Sequence, residues 1–461
     1  MKKRILSVLL TLCMVICFMP TTVYAETQTV DSWSGLQDLI DSNDNLSVTL
    51  SSDISWGGSS LTIPVGKNVI LDLNGKTIDA QNNGTVIVVN GMLTIKNSGA
   101  DLVGPIGGGA GPITGNIKNG KVVDQKAGGI LVASGGKLVM NSGWLTNCVD
   151  SSNELSSAGG VYVSENAEFE MTGGIITGCS GSTPLYLPCS AGVVNYGIFT
   201  MSGNATISGS KSTYGGDGSA ISNAGTFNAD GGVVQTGQSC TNYAIIQNTG
   251  EDSTVFYCNV LNTGLGTISG GTYNYPVTNA GIITNGIFNG TVENTYTVTG
   301  GTFNGSTTGI YTVTFDSGVP SQIRAKAPAA VPEEPVRKGY TFLGWLKDGI
   351  QYDFSQNVTQ NISLTSDWKA KTYTVKFDTA NNTTVADKTV CWDDRVLEGI
   401  SNPEKKGADF KGWTYEGRII SGDTTYAELV VDDTVTSITL TAQWETIQYT
   451  ITLDYGDGTS N

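Results

Sequence analysis

Short apolar runs separated by polar turns dominate the chain from residue 46 onward. In stretches such as SVTLSSDI and GTVIVVNGMLTIKN, valine, isoleucine and leucine form brief runs bounded by glycine, asparagine and serine. Runs of this kind are typical of short β-strands joined by tight turns. The pattern therefore predicts a chain built from many short strands.

These strands recur as copies of one unit. GGILVASGGKLVMNSGWLTNC at residues 128–148 matches GGVYVSENAEFEMTGGIITGC at residues 159–179 with a constant offset of 31 residues. Looser copies begin at Ala191, Gly218 and Gly270. One unit cannot bury its own apolar face, whereas coils stacked about 4.8 Å apart share a buried column of side chains.

The repeat pattern predicts an all-β fold whose main part is a right-handed parallel β-helix, or solenoid, over residues 46–310. Roughly ten coils fit into this length, which gives a rod about 50 Å long. Before it, Trp33, Leu36 and Ile40 have helical spacing, which predicts a short amphipathic helix. We expect this helix, within residues 26–45, to cap the open N-terminal end of the solenoid.

Asparagine recurs after the apolar runs and close before a glycine. In register, such residues would stack as a ladder, because an asparagine amide can bond to the coils above and below and asparagine tolerates left-handed backbone conformations. A row of ligand-binding amides is the alternative interpretation. The predicted members of the ladder are Asn90, Asn195, Asn223, Asn248 and Asn285.

The solenoid region resembles the pectate-lyase-like parallel β-helices in surface proteins of Gram-positive and gut bacteria. The part that follows has sharper motifs. Gly-x-x-Phe-x-Gly-Trp occurs at residues 339–345 and again, 68 residues later, at residues 407–413. Each copy is preceded by a Tyr-Thr-Val segment and is closed by a second tryptophan. This pattern resembles the Listeria-Bacteroides repeat, the internalin B-type repeat.

The resemblance implies small β-grasp-like modules in tandem, which act as spacers or adhesive elements on secreted or surface-attached proteins. It places repeat module 1 at residues 311–370, repeat module 2 at 371–446 and the start of a truncated third repeat at 447–461. Alternating strand patterns and bulky tryptophans predict a small core in each module. The predicted core tryptophans are Trp345, Trp368, Trp413 and Trp444.

Residues 1–25 have the pattern of a secretory signal peptide. Lys2, Lys3 and Arg4 precede an apolar run, and the segment ends with a small residue at Ala25. The apolar run is too short to span a bilayer comfortably. We therefore expect cleavage near Ala25, an extracellular or cell-surface location, and no membrane insertion of the mature chain.

Charge and composition narrow the functions open to the mature chain. Removal of residues 1–25 leaves 22 basic and 41 acidic residues, a formal charge of −19, which disfavours nucleic acid as a partner. The sequence contains no histidine, which excludes Ser-His-Asp catalysis, Cys-His catalysis and histidine-ligated metals. The sequence predicts no cofactor and no metal site.

An enzyme is the main alternative, because parallel β-helices also carry polysaccharide lyases and glycosidases. Lyases of the resembling family use an arginine or lysine base beside aspartate-bound calcium. Residues 26–310 contain no arginine, and their aspartates are scattered singly. The adjacent pairs Asp393-Asp394 and Asp432-Asp433 are predicted to be solvated loop residues. We therefore predict that the chain is not an enzyme and has no catalytic residues.

Two cysteines, Cys148 and Cys179, occupy equivalent positions in neighbouring copies. Adjacent strands would bring their backbones about 5 Å apart, which allows a disulfide. Two stacked, buried thiols fit the same positions. The sequence leaves both alternatives open.

These features together favour a secreted or cell-surface structural or adhesive protein, with the solenoid as a rod displayed on a stalk of repeats. A polysaccharide or a host or cell-surface ligand is the expected class of partner. Two alternatives remain, a carbohydrate-active β-helix enzyme and an inert spacer, because a fold does not fix a function.

Overall fold

The computed structural model shows an all-β protein with two compact units. The first unit extends to Tyr311 and also includes residues 323–328 and 357–360, while the second holds the remaining chain from Thr312 onward. The predicted signal peptide, residues 1–25, lies outside the described residues. The residues that the structure describes are 27–99, 114–122, 126–151, 157–181, 190–209, 211–212, 219–235, 239–242, 245–247, 253–453 and 456.

The first unit is a parallel β-solenoid with three faces, and each complete coil passes through faces one, two and three in that order. Face one is a sheet of 11 strands. This architecture confirms the predicted parallel β-helix. The strands of face one are Leu61–Ile63, Ile87–Val89, Ile130–Val132, Val161–Val163, Ser190–Asn195, Ser219–Asn223, Ser239–Asn242, Asn259–Asn262, Val277–Asn279, Val292–Asn294 and Thr307–Thr308.

Faces two and three form a second sheet, of 21 strands. Two long strands, Thr267–Tyr273 and Ile282–Phe288, run through both faces. The other strands of face two are Gln28–Val30, Asn45–Leu50, Asn68–Asp72, Met92–Lys96, Lys137–Met140, Glu168–Met171, Ile198–Met201, Thr226–Ala229, Ile245–Gln247 and Thr297–Val298. The other strands of face three are Ile54–Ser55, Thr77–Asp79, Asn116–Lys118, Trp144–Thr146, Ile175–Thr177, Thr206–Ser208, Val233–Val234, Val255–Phe256 and Thr302–Phe303. A separate pair consists of Ser180–Gly181 and Lys211–Ser212.

Neighbouring coils pair in register. Ile130 pairs with Val161 and Leu138 with Phe169, which is the offset of 31 residues between the two best copies. Successive side chains of a strand point to opposite faces of the sheet, so alternate residues point inward in every coil. Inward side chains therefore form continuous columns along the solenoid.

An aromatic stack crosses from one face of the solenoid to another. On face two, the rings of Phe169, Phe199 and Phe227 lie parallel, with centroids 4.9 Å apart. In the next coil, Ile246 lies at the face-two position that is equivalent to Phe227. The aromatic ring of that coil is instead Phe256 on face three, whose centroid lies 6.1 Å from that of Phe227 and whose ring is edge-on to it. This exchange keeps the side-chain volume of each coil nearly constant, as a close-packed interior requires. The second stack, with centroids 4.8–4.9 Å apart, consists of Phe256, Tyr273, Phe288 and Phe303.

A helix, Trp33–Ser42, lies at the N-terminal end of the solenoid. Its apolar side buries Trp33, Leu36 and Ile40 in the same core as the first coils. The Gln37 amide donates to the carbonyl of Thr62 at 3.0 Å and accepts from its N–H at 2.8 Å. Because Thr62 lies in the first strand of face one, this side chain takes the place of a neighbouring strand at the open edge.

Residues 323–328 close part of the C-terminal end of the solenoid. Ala325 exchanges two backbone hydrogen bonds with Val298, at 2.9 and 3.0 Å, in an antiparallel bridge to the last strand of face two. The side chains of Arg324 and Lys326 donate to two further backbone carbonyls of the last coil, at 2.6 and 2.7 Å. The last coil is therefore capped by chain that lies, in sequence, inside the first repeat module.

The two repeat modules share one pattern of strand pairing. A first strand runs parallel to the last strand of its module, and that last strand pairs antiparallel with the strand that carries the Phe-x-Gly-Trp motif. In repeat module 1 the strands are Tyr311–Phe315, Gln322–Arg324, Tyr340–Lys347, Ile350–Gln351 and Ile362–Ala370. In repeat module 2 they are Thr372–Asp378, Lys388–Cys391, Ala408–Tyr415, Arg418–Ile419 and Ser437–Thr446, with one helical turn at Tyr426–Leu429.

The C-terminal cap predicts that the solenoid needs part of the first repeat module. A chain that ends at Ile310 loses the bonds from residues 323–328 and exposes a strand edge, so it should self-associate and be less stable by about 1–3 kcal/mol. A chain that ends at Lys371 keeps the cap and is the matched control. Thermal unfolding and light scattering on both chains test this. Equal unfolding temperatures and two monomeric chains would show that the cap contributes nothing.

Candidate functional site

A buried ladder of asparagine amides, the inner ladder, runs along face one. It occupies the last inward position of six successive strands. The three coils before the ladder have valine at this position, namely Val89, Val132 and Val163. The Nδ2 of each asparagine donates to the Oδ1 of the next, at 2.5–2.9 Å. The inner ladder consists of Asn195, Asn223, Asn242, Asn262, Asn279 and Asn294.

Two of the predicted ladder residues, Asn195 and Asn223, belong to the inner ladder. Asn90 does not, because it lies one residue past the end of a face-one strand and is half-buried. Asn285 is exposed within the long strand Ile282–Phe288. Asn248 lies outside the described residues. Proximity to a glycine was therefore the wrong criterion, since it does not fix which face of a strand a side chain is on.

A simpler signal identifies the members that sequence reasoning missed. Each ladder asparagine stands two residues after an inward apolar side chain, as in Val260-Leu-Asn262 and Val277-Thr-Asn279. The spacing of two matches the side-chain period of a strand, so it selects inward positions wherever the strand pairs regularly. Asn285 also stands two residues after an inward side chain, Ile283, but a register shift between these two residues leaves it exposed. Asn242, Asn262, Asn279 and Asn294 all satisfy it.

The inner ladder is structural, because its amides are buried and cannot reach a ligand. Its N-terminal end is incomplete. Among the described residues, the Oδ1 of Asn195 is buried without a hydrogen-bond partner, and the residue paired with Asn195 in the preceding coil is Val163. An unmet buried acceptor costs free energy, so the transition from valine to asparagine destabilises this one coil boundary.

A second row of amides lies on the surface and is the candidate functional site. This outer amide row consists of Asn274, Asn289 and Asn304, which follow the face-three segments of three successive coils. The Nδ2 of Asn289 donates to the Oδ1 of Asn274, and the Nδ2 of Asn304 donates to the Oδ1 of Asn289, both at 2.7 Å. Tyr257 occupies the same position one coil earlier, and Tyr275 follows Asn274 directly. The two tyrosines are 40% and 41% exposed.

Glycines lie beside the outer amide row. In the two coils after Tyr275, the equivalent position holds Gly290 and then Gly305. A Cβ on Gly290 would lie 2.4 Å from the backbone carbonyl atoms of Tyr275, and one on Gly305 would lie 2.1 Å from the carbonyl oxygen of Gly290. Side chains are therefore excluded there, and a strip of bare backbone continues from Tyr275 alongside the amides.

A cluster of outward apolar residues on face one is a weaker candidate. The rings of Tyr162 and Tyr196 lie 5.6 Å apart, and the ammonium of Lys126 lies 5.5 Å from the Tyr162 ring centroid. Burial, with smaller contributions from Tyr196 and Glu165, raises the pKa of Tyr162 to about 12. Tyr162 is thus a packed side chain rather than an accessible one.

Two aspartates of the solenoid, Asp72 and Asp79, accept hydrogen bonds from turn residues. Burial alone would raise the pKa of Asp72, but hydrogen bonds from Ser98 and Asn74 and the charge of Lys96 outweigh it and hold that pKa below its usual value. Asp79 accepts from a backbone N–H and from the amide of Asn119. Within the described ranges, no group of three or more Cys, Asp and Glu side chains is placed to hold a metal ion.

Cys148 and Cys179 are both buried free thiols. Burial raises the pKa of Cys148 well above its usual value, and a hydrogen bond with Cys179 raises it further. The sequence leaves a disulfide and two stacked thiols as alternatives. The structure has the stacked thiols.

The four predicted core tryptophans lie in two equivalent pairs. Trp345 and Trp413 are buried, each at the centre of its module. Trp368 and Trp444 are half-buried and pack edge-on against the phenylalanine of the Phe-x-Gly-Trp motif. The indole N–H of Trp444 donates to the carbonyl of Thr379 at 2.8 Å, which ties the last strand to the loop after the first.

The sequence predicts that the adjacent acidic pairs, Asp393-Asp394 and Asp432-Asp433, are solvated loop residues. In the structure, one residue of each pair instead makes a hydrogen bond to the other repeat module. Asp433 accepts from the ammonium of Lys371, at the start of repeat module 2, at 2.7 Å. It also accepts from the N–H of Gly339 in repeat module 1 at 3.0 Å, and this second bond joins the two modules. Asp393 accepts from the hydroxyl of Tyr340 at 3.1 Å across the same junction. The bond from Lys371, followed by that from Gly339, holds the pKa of Asp433 below its usual value of 3.8.

Comparison with known proteins identifies the repeats. Residues 311–366 and 373–443 match the family model described as the Listeria-Bacteroides repeat domain. These matches coincide with the two modules of the structure. No solved structure matches the chain.

Two curated proteins of Evansella cellulosilytica are similar to part of the chain. One, named "Putative membrane protein", is 28% identical over 131 residues, which are 28% of this chain and 19% of that protein. The other, named "Putative Gly-rich membrane protein", is 30% identical over 145 residues, which are 30% of this chain and 16% of that protein. The matches thus span less than a fifth of either relative. In the part of this chain that the structure describes, no helix has the length and apolar character needed to cross a membrane.

The unmet oxygen of Asn195 predicts a difference between two otherwise equivalent substitutions. In Val163→Thr, the new hydroxyl can donate to Asn195, whereas in the control Val132→Thr it faces Val89 and Val163 and stays unpaired. We expect Val163→Thr to be more stable than Val132→Thr by about 1–2 kcal/mol. Urea unfolding of both variants measures this difference, and equal losses of stability would contradict it.

The junction between the repeat modules should depend on pH through Asp433. Because its pKa is lowered in the folded protein, its contribution is complete above pH 3.8 and is lost as the pH falls further. At neutral pH, Asp433→Asn should lower the unfolding temperature of the repeat modules by roughly 2–4 °C. The control is Asp423→Asn, which removes an exposed ion pair with Arg395 inside module 2. Calorimetry measures both unfolding temperatures. Equal decreases for the two variants would show that Asp433 contributes no more than an exposed ion pair.

Proposed function

We propose that this protein is a cell-surface structural protein, in which the solenoid is a rigid, extended element and the repeat modules form a stalk. The single observation that carries the proposal is the uninterrupted core of the solenoid. Inward residues from the first helix to the last coil form one apolar cluster. A continuous core of this kind resists bending, because any bend would open the stacked strands.

Rigidity follows from the way in which the coils are held together. The aromatic stacks and the inner ladder both run along the solenoid axis, so each coil contacts the next through hydrogen bonds and close ring contacts. The 11 strands of face one, about 4.8 Å apart, give a length of roughly 50 Å. Such an element suits the presentation of a surface at a distance from the cell.

The cell-surface location is supported by the repeat modules and by the relatives. The two repeat modules match the Listeria-Bacteroides repeat family, whose tandem copies are typical of secreted and surface-attached proteins. Both relatives are named as membrane proteins. The proposal assigns the rod and stalk to the outside of the cell envelope. It assigns no catalytic role to the chain. In the solenoid, Asp72 and Asp79 each accept a hydrogen bond from the backbone N–H two residues further on, as turn residues do.

Two measurements test this proposal. Protease treatment of intact cells that express the full chain should remove the protein from the cell surface, and purified full chain should cut none of a panel of plant, host and bacterial polysaccharides, with calcium present. A cytoplasmic, protease-resistant protein would overturn the location. New chain ends on any polymer would overturn the structural role in favour of a carbohydrate-active enzyme.

A further inference from the structure

The coils that carry the outer amide row are nearly free of charge. Residues 253–310 contain a single charged residue, Glu293, and it lies on face one rather than beside the row. In the earlier coils, by contrast, outward positions hold ion pairs such as Lys137 with Glu168. Residues 253–310 thus offer a charged ligand no opposite charge at the outer amide row, whereas a neutral ligand needs none.

The amides of the row are held in fixed positions before any ligand arrives. Each bond between neighbouring amides uses one Nδ2 hydrogen and one Oδ1 lone pair, at 2.7 Å, and leaves the other hydrogen and lone pair of each group available. Asn289, in the middle of the row, is exposed. A ligand therefore meets donors and acceptors that repeat about every 4.8 Å, with little side-chain entropy left to lose.

Aromatic faces stand at the start of the same strip. Tyr257 lies one coil before Asn274, at the equivalent position. Tyr275 lies one coil before Gly290, which is followed one coil later by Gly305. A tyrosine ring offers a large apolar surface with a polar tip, which suits ligands that are apolar on one side and hydroxylated on the other. The glycines leave room for such a ligand to lie along the solenoid beside the amides.

From these observations we infer that the outer amide row, with Tyr257 and Tyr275, binds a neutral polysaccharide chain. A pyranose has an apolar face of C–H groups, which fits the tyrosine rings, and a rim of hydroxyls, which both donate and accept and so fit the asparagine amides. The length of one pyranose along its chain is comparable to the spacing of the coils. The inference gives a ligand class to the rod and rests on the proposed function only for access to such a polymer.

Binding of the full chain to insoluble cellulose and chitin, and to soluble xylan and β-1,3-glucan, tests the inference, with polygalacturonate as the acidic comparison. We expect retention on at least one neutral polymer and none on polygalacturonate. Binding should be unchanged between low and high salt, because no charges take part. Tyr275→Ala should weaken binding roughly tenfold and Asn289→Ala roughly fivefold, as expected for loss of one stacking contact or one pair of hydrogen bonds.

The matched control is Tyr296→Ala, which removes a tyrosine that is 50% exposed beside the end of a face-one strand. It should bind as tightly as the unchanged chain. Circular dichroism and thermal unfolding of all three variants separate lost binding from lost folding. Asn304→Ala, in the last coil, replaces Asn289→Ala if the latter unfolds.

Several outcomes would overturn the inference. These are failure of the unchanged chain to bind any neutral polymer, binding that falls with salt, equal binding by Tyr275→Ala and Tyr296→Ala, or self-association that Tyr275→Ala abolishes. None of them bears on the rod itself, whose location and lack of polymer cleavage are measured separately.

Discussion

Every coil of this protein must match the coils before and after it, position by position, because the strands are parallel and in register. An inward side chain therefore has its neighbours fixed about 4.8 Å away. The aromatic stacks and the inner ladder are two solutions to this one constraint, since flat rings and planar amides both stack on themselves at that distance. The constraint is hard to satisfy only where one solution gives way to another. At Phe227 and Phe256 the change is absorbed by an edge-on ring contact, and at Val163 and Asn195 it leaves a buried oxygen unpaired.

The same constraint leaves both ends of the solenoid unsatisfied, since the first and last coils have a neighbour on one side only. The two ends are closed differently. At the N-terminal end one glutamine side chain, Gln37, imitates the backbone of a missing strand. At the C-terminal end a real strand segment is used, with Ala325 paired to Val298. The second solution makes the last coil depend on chain that lies beyond it in sequence, so the folding unit is longer than its repeat pattern.

Periodicity explains which features could be predicted from the sequence. The solenoid and the two repeat modules depend on local patterns of apolar residues, glycines and tryptophans, and these are visible in one chain. Of the six members of the inner ladder, two were predicted, Asn195 and Asn223. A nearby glycine is found both at these two residues and at Asn90 and Asn285, and only the inward position distinguishes the ladder residues. The bond between Lys371 and Asp433 joins residues 62 apart that no repeat relates. A contact between such distant residues can be seen only in the folded structure, because no local sequence pattern indicates it.

Because inward residues determine how the coils stack, outward residues are free to vary, and their chemistry changes along the solenoid. Early coils carry exposed or half-exposed ion pairs such as Lys118 with Asp79, and late coils carry amide rows. Exposed ion pairs contribute little to stability, and hydrogen bonds between exposed amides replace bonds to water, so folding favours neither. The change from charged to neutral surface is therefore not required by the folding of the coils. The neutral, hydrogen-bonding and aromatic surface of the last coils complements a neutral, hydroxyl-rich partner better than a charged one, which is the chemistry that the proposed polysaccharide site requires.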